Sequence, residues 1–351
     1  MPPAPAPRPV HVAAIGHCSA LGLSAEAAAQ ALRADEDSNA QRTLHGEVWP
    51  WRPLPLAHDD WQARAQDAVT RVAAQLAAGL DGKHWTALPL FLASSSLQAG
   101  ALETAARTAG RVELPEEAAA FAPVVARWLG LASTPWVFST ACTSGFAALD
   151  AASSMIAAGL IDEAVVLGFE FANDTTLAGF AGLGLLAGAP AASGLTLGEA
   201  VAGVRLSAAP GTGWRIAACR LGVDGHSPTA PAADGVAIAE VIAEAIAAAG
   251  LTPAQIDLLK AHRGNLDATD AAEARAIARV FGDAVPRTID LKRRLGHTLG
   301  ASGLVELSAL LADLAATPSV APVRRALLNL IGFGGGLAAV VIERDAPEWS
   351  R

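Results

Sequence analysis

Short apolar runs alternate along the whole chain with alanine-rich stretches of helical spacing, a pattern that predicts an α/β fold. Val10 to Ile15 reads as a first strand, ending at Gly16 in a turn that holds His17 and Cys18. Ser24 to Leu32 reads as a helix with Ser24 as its N-cap. Residues 35–60 look irregular, with Trp49, Trp51, His45 and His58 but no catalytic spacing. Trp61 to Leu80 has helical periodicity, Leu88 to Ala93 reads as a buried strand before Ser94-Ser95-Ser96, and Glu103 to Arg111 and Glu116 to Leu129 read as helices. Val137-Phe138 continues into small residues around Cys142, then into a helix to about Leu160 and a strand from Ala164 to Phe169. Such a βαβ unit puts Cys142 at the carboxyl end of a central strand, the edge where open α/β sheets collect ligands.

The second half repeats the alternation. Val204 to Ala208, Trp214 to Leu221, Ile256 to Ala261, Arg287 to Leu291, Leu327 to Ile331 and Ala338 to Glu343 read as strands. Val236 to Ala249, closed by Gly250, then Ala271 to Phe281 and Leu299 to Leu314 read as helices. Two sets of alternating elements suggest a duplicated architecture with a boundary near residues 205–210 and no flexible linker.

Composition narrows the function classes. The 351 residues are 52% hydrophobic and 17% charged, which suits large buried helices and argues against disorder. A net charge of -9 excludes a sequence-independent grip on nucleic acid. Cys18, Cys142 and Cys219 are scattered and odd in number, so we expect a reducing cytoplasm, no disulfide framework and no metal site. The proline-rich start, residues 1–9, lacks the apolar core of a signal peptide. Thr176 to Leu195 carries no charge, but its glycines and few large apolar side chains fit a buried or subunit-facing segment better than a membrane span.

Candidate chemistry sits at three junctions. Small residues around Cys142 permit a sharp strand-to-helix turn, the logic of a nucleophile elbow. The amides and dipole of the helix start favour a thiolate there and can hold an oxyanion. Taken by itself, Cys142 fits a small buried residue equally well. His262 ends a strand, and His297 stands ahead of Gly300 and Gly303 at another turn. One cysteine and two histidines converging on a cleft would form a nucleophile with its proton donors.

The motif Thr140-Ala141-Cys142-Thr143-Ser144-Gly145 resembles the nucleophile motif of the β-ketoacyl-acyl-carrier-protein synthases, the elongating condensing enzymes. Lys292, Gly296-His297-Thr298-Leu299-Gly300-Ala301-Ser302-Gly303 and Glu306 are similar to that family's K-x-x-x-G-H-T-x-G-A-x-G-x-x-E. Asn329 with Gly332-Phe333-Gly334-Gly335 resembles its N-x-x-G-F-G-G turn, and His262 with Asp270 and Glu273 keeps its histidine-to-acid spacing. The resemblance implies a thiolase-like fold, with two duplicated α/β halves in an αβαβα layered arrangement of mixed five-stranded sheets. Residues 1–207 would carry the cysteine; residues 208–351 would carry both histidines and the glycine turn.

It implies that Cys142 takes an acyl group and that His262 and His297 promote decarboxylation of a malonyl thioester, with Lys292 tuning them. The N–H groups of Cys142 and Phe333 would form the oxyanion hole, and Phe333, flanked by Gly332 and Gly334, would gate the acyl pocket. Asp270 and Glu273 would cap a helix, and Glu306 would be a buried structural carboxylate. No cofactor is implied beyond the phosphopantetheine of an acyl carrier protein. That carrier would be the partner, together with a second like or unlike ketosynthase-type subunit. A basic docking patch for an acidic carrier would come from Lys260, Arg263, Arg287, Arg293, Arg294, Arg324 and Arg325. His262-Arg263-Gly264-Asn265-Leu266 stands where the family has H-G-T-G-T, so both threonines that hold the pantetheine arm are missing. A divergent synthase of fatty-acid, polyketide or polyene type is therefore the first expectation. A non-catalytic partner resembling a chain-length factor, or an acyltransferase or thioesterase on the same fold, are the alternatives.

Overall fold

A computed structural model of the chain describes residues 6–34, 40–111, 117, 119–188, 192–317 and 322–345. Part of the proline-rich start, of the irregular 35–60 stretch, of the Glu116–Leu129 helix and of the uncharged Thr176–Leu195 stretch lies outside the described residues.

The strands are β1 (His11–Ser19), β2 (Gln41–Leu44), β3 (Glu47–Arg52), β4 (Leu90–Ala93), β5 (Trp136–Phe138), β6 (Glu163–Glu170), β7 (Leu197–Gly198), β8 (Ala200–Ser207), β9 (Trp214–Val223), β10 (Leu258–Lys260), β11 (Arg287–Ile289), β12 (Arg325–Ile331) and β13 (Gly336–Arg344). Ten of them form one hydrogen-bonded sheet in the order β11-β10-β12-β13-β9-β1-β8-β6-β4-β5. It divides into two five-stranded arrays of identical plan. In each, an outer pair runs parallel to the third strand (β5-β4-β6 and β11-β10-β12), and the next two strands run antiparallel. The arrays join edge to edge where His11 of β1 pairs with Arg215 of β9.

Five layers follow from where the apolar faces go. The helices Ser144–Ala157 and Ser302–Ala316 are buried almost all round, because their alanines, leucines and glycines let both arrays approach. Helices Trp61–Leu76 and Ala122–Leu129 cover the outer face of the first array, and Val236–Ala248 and Asp267–Phe281 that of the second. Leu299–Ala316 is apolar and long enough to cross a membrane by length and composition; here it is the core helix of the central layer. Gly303 lies where this helix meets its neighbour, and a Cβ there would fall 2.6 Å from the Phe146 ring. Gly303→Ala is expected to cost roughly 1–3 kcal/mol in chemical denaturation, as overpacking does; an unchanged midpoint would mean that the two helices are not wedged together.

The structure corrects several local readings. Gly16, His17 and Cys18 form no turn: they continue β1 to Ser19, where His17 bonds Ser308 and Ser19 inside the core. The irregular stretch contains a hairpin, β2–β3, whose second strand pairs with β7. The start of the uncharged stretch, read as a buried or subunit-facing segment from Thr176, belongs to a helix, Asp174–Gly182, capped by Asn173 through Thr176 N–H at 2.7 Å. Ser24 does cap its helix, accepting from Ala27 N–H at 3.2 Å.

Candidate active site

The two central helices start from matching turns. In each, a threonine is followed by a residue in left-handed backbone, Ala141 (φ 52°) or Leu299 (φ 44°), that opens a short 3-10 turn leading into the helix. A β-carbon is strained at such φ values, so the surrounding packing must hold both turns in place. In the first turn this geometry lifts Cys142. In the second the equivalent position is Gly300, whose N–H donates to Ser95 Oγ (2.8 Å) and Glu170 Oε2 (3.0 Å).

Cys142, His262, His297 and Phe333 line one narrow cavity, with Leu195, Thr229, Leu266 and Thr269 among its other walls. The cysteine and both histidines are buried. The imidazole centroids lie 5.9 Å apart with the rings nearly perpendicular, at 75°. Each ring has its tautomer set by the main chain. His262 Nδ1 accepts from Ile331 N–H at 3.2 Å, and His297 Nδ1 accepts from Leu299 N–H at 3.0 Å. The proton therefore resides on Nε2 in both, which makes each a hydrogen-bond donor on its far side. Burial, reinforced by the Lys292 charge, holds both imidazoles well below the usual 6.5, so they stay neutral.

The sulfur behaves differently from the sequence expectation. The backbone N–H groups of Phe333 and of Cys142 itself, and the Lys292 charge, favour its anion. Burial outweighs them and pushes the thiol up to about 11. Cys142 rests as a thiol, and the helix start reduces a penalty without removing it.

Phe333 stands between two spaces. A second, wider cavity shares Cys142 and Phe333 with the first, but is walled by Ser95, Ser96, Thr176, Phe180, Leu183 and Leu299. The Phe333 ring stacks on Phe180 at 5.5 Å. Gly334 (φ 77°) makes the turn behind Phe333, and Gly332 lets the backbone pass within van der Waals reach of Thr143.

The supporting carboxylates are not where a capping role would put them. Asp270 and Glu273 do not cap their own helix, whose start at Leu266 has no side-chain cap. They reach back instead to the loop after His262. Glu273 accepts from His262 N–H (2.6 Å), Arg263 N–H (3.0 Å) and Asn329 Nδ2 (2.6 Å); Asp270 accepts from Gly264 N–H (3.0 Å) and Asn265 N–H (3.1 Å). This clamp holds Arg263 and Asn265 at positive φ. Asn265 in turn donates to the carbonyls of Ala192 (2.7 Å) and Gly194 (2.9 Å), which fixes the segment that brings Leu195 into the cavity wall.

Beneath the histidines, Glu306 accepts from the ammoniums of both Lys292 and Lys260, all three buried. Lys260 also donates to the Asn329 carbonyl at 2.9 Å. Lys260 and Arg294 are therefore not docking charges: one is fully enclosed and the other buried. Arg263, Arg287, Arg293 and Arg324 remain at the surface. Sequence reading missed Glu170, Lys260 and Phe180. Glu170 and Lys260 are charged residues inside strands that otherwise read as apolar, a pattern that signals a buried polar network.

Two family models match the chain: "Beta-ketoacyl synthase, N-terminal domain" over residues 70–209 and "Beta-ketoacyl synthase, C-terminal domain" over residues 215–322. The chain is 31% identical over 253 residues to the 3-oxoacyl-(acyl-carrier-protein) synthase 2 of Rhizobium meliloti (strain 1021), covering 58% of this chain and 59% of that protein. It is 37% identical over 116 residues to the protein of the same name from Mycobacterium bovis, covering 33% of this chain and 27% of that one. The chain thus spans less than two thirds of the length of these relatives. Among solved structures, a beta-ketoacyl synthase from Burkholderia phymatum STM815 superposes with TM-score 0.77 at 23% identity, over 97% of this chain and 100% of that one. A type II PKS ketosynthase, bound to the hexaketide and in complex with its acyl-carrier protein, superposes with TM-score 0.84 at 19% identity, over 97% and 100% of the two chains. At those identities the superpositions establish the fold.

Proposed function

Because the chain belongs to the beta-ketoacyl synthase family, we propose that it joins an acyl group to a malonyl-derived unit by decarboxylative condensation. The observation that carries this reading is the fixed tautomer of both histidines beside the buried sulfur. Two neutral Nε2–H donors suit an enolate oxygen, whereas a base pair for hydrolysis would need an unprotonated ring nitrogen facing the cavity.

In the first half-reaction Cys142 Sγ attacks the acyl thioester, its proton leaves on the departing phosphopantetheine thiol, and the N–H groups of Cys142 and Phe333 hold the oxyanion. In the second, the malonyl C–C bond breaks and CO₂ leaves. The electron pair becomes an enolate bound by His262 and His297. Its carbon then forms a bond to the acyl carbon as the C–S bond to Cys142 breaks and the sulfur regains a proton. Acyl chains occupy the Phe180 side of Phe333, and the phosphopantetheine arm enters past the wall that carries Thr229 and Thr269. The substrates ride on an acyl carrier protein in the cytoplasm. A second ketosynthase-like subunit pairs at the open edge of β5, where Trp136 is 56% exposed.

With an acyl-carrier and a malonyl-carrier protein supplied, CO₂ and a 3-ketoacyl product are expected. Release of free acid in place of the 3-ketoacyl product would refute the reading. His297→Ala is expected to accept the acyl group yet lose CO₂ release by about a hundredfold or more; full condensation in that variant would remove His297 from the enolate step. Since both imidazoles are neutral, CO₂ release from wild type should not fall as pH drops through 6.5, the ordinary imidazole value. A titration there would show that one ring is protonated in the working site.

A further inference from the structure

Glu306 offers one negative charge to two enclosed ammoniums, and no second carboxylate bonds either of them among the described residues. Lys292 approaches it from the short helix Lys292–Leu295, and Lys260 from the end of β10, two residues before His262. The other titratable groups facing Lys260 are Glu273, whose oxygens are taken by the His262 loop, and the two neutral imidazoles. Asp290 lies farther along, accepting from Lys292 N–H at 3.0 Å.

We infer that Lys260 is a positioning residue for the decarboxylation step: it adds a second ammonium to the network under the histidine pair, whose positive charge stabilises the enolate, and its deprotonation switches that charge off. The inference rests on the condensing reading and adds a residue to it. The two like charges and their enclosure also bear on when the switch operates. Burial first, and then Lys292, bring Lys260 down to about 8 against Glu306, which acts the other way. In water the same ammonium titrates near 10.5. Between these values the unfolded chain binds one more proton than the folded one, so folding stability rises with pH across that window. Removing one unit charge about 12 Å from a developing oxyanion slows its formation by about tenfold at an effective dielectric near 20.

The experiment compares wild type with Lys260→Met, which keeps the length of the side chain and cannot ionise. Melting temperature is followed from pH 8 to 10.5, and CO₂ release from malonyl-carrier protein is followed from about pH 6 to 10.5, so that the range begins with Lys260 charged. Wild type should gain stability relative to the variant as pH rises, and its CO₂ release should fall by about tenfold as Lys260 loses its proton. The variant should start at the lower rate and show no such fall. Parallel melting profiles would overturn the titration of Lys260 whatever the reaction. Parallel melting with an unchanged alkaline fall in the variant would overturn the inference entirely. A wild type that releases no CO₂ while the melting difference holds would count against the condensing reading and against any catalytic use of the charge. Lys260→Arg, charged throughout, should keep the higher rate to the top of the range; a variant that still loses rate there would contradict the charge as the cause.

Discussion

Cys142→Ala is expected to abolish acyl transfer to the protein and to lower condensation by at least about a thousandfold. The loss should be of chemistry alone. The residue is small and buried, and its turn is held by Thr140 N–H to Ser144 Oγ (2.8 Å) and Thr143 Oγ1 to the Thr140 carbonyl (2.8 Å), neither of which involves sulfur. Melting should therefore stay near wild type. Alkylation of Cys142 by a neutral reagent should keep rising with pH toward about 11, beyond the 9.0 of an ordinary thiol. A plateau near 9.0 would show that the amides and Lys292 fully offset burial. An acyl adduct persisting on the alanine variant would remove Cys142 from the reaction.

Glu306→Ala should be the most destabilising single change in the site. It leaves Lys260 and Lys292, both enclosed, without their carboxylate. Breaking a buried pair from one side costs about 3–5 kcal/mol, because the orphaned charge stays in the interior. Replacing all three together, as Lys260→Met, Lys292→Met and Glu306→Leu, should restore most of that stability, since apolar groups of similar volume need no partner. Urea denaturation of wild type and the two variants checks this. A loss below about 1 kcal/mol for Glu306→Ala would mean that water reaches the cluster.

The alternation of strands and helices was legible because buried strands and alanine-rich helices leave distinct periodicities. What the periodicity could not say was how far β1 runs: Gly16 looked like a turn, yet its missing Cβ serves close packing against Val72. The β2–β3 hairpin hid among prolines and tryptophans, since neither strand alternates over enough residues to show a period. Cys142, His262, His297 and Phe333 were found through motif and position, and they do share a cavity. The direction of the thiol shift was not legible, because burial is set by the whole fold while the amides that oppose it are local. Lys260 was misread for the same reason. A lysine after two leucines looks like a surface charge at a strand end until β11, β12 and Glu306 close around it.

The most direct measurement is intact-protein mass spectrometry through one turnover. Wild type incubated with an acyl-carrier protein should gain one acyl mass, mapped to the Cys142 peptide. Adding malonyl-carrier protein should discharge that mass, with one CO₂ released for each 3-ketoacyl product formed. An acyl group on another residue, or one that stays on Cys142 while CO₂ is released, would contradict a site in which the sulfur and both imidazoles act on the same pair of substrates.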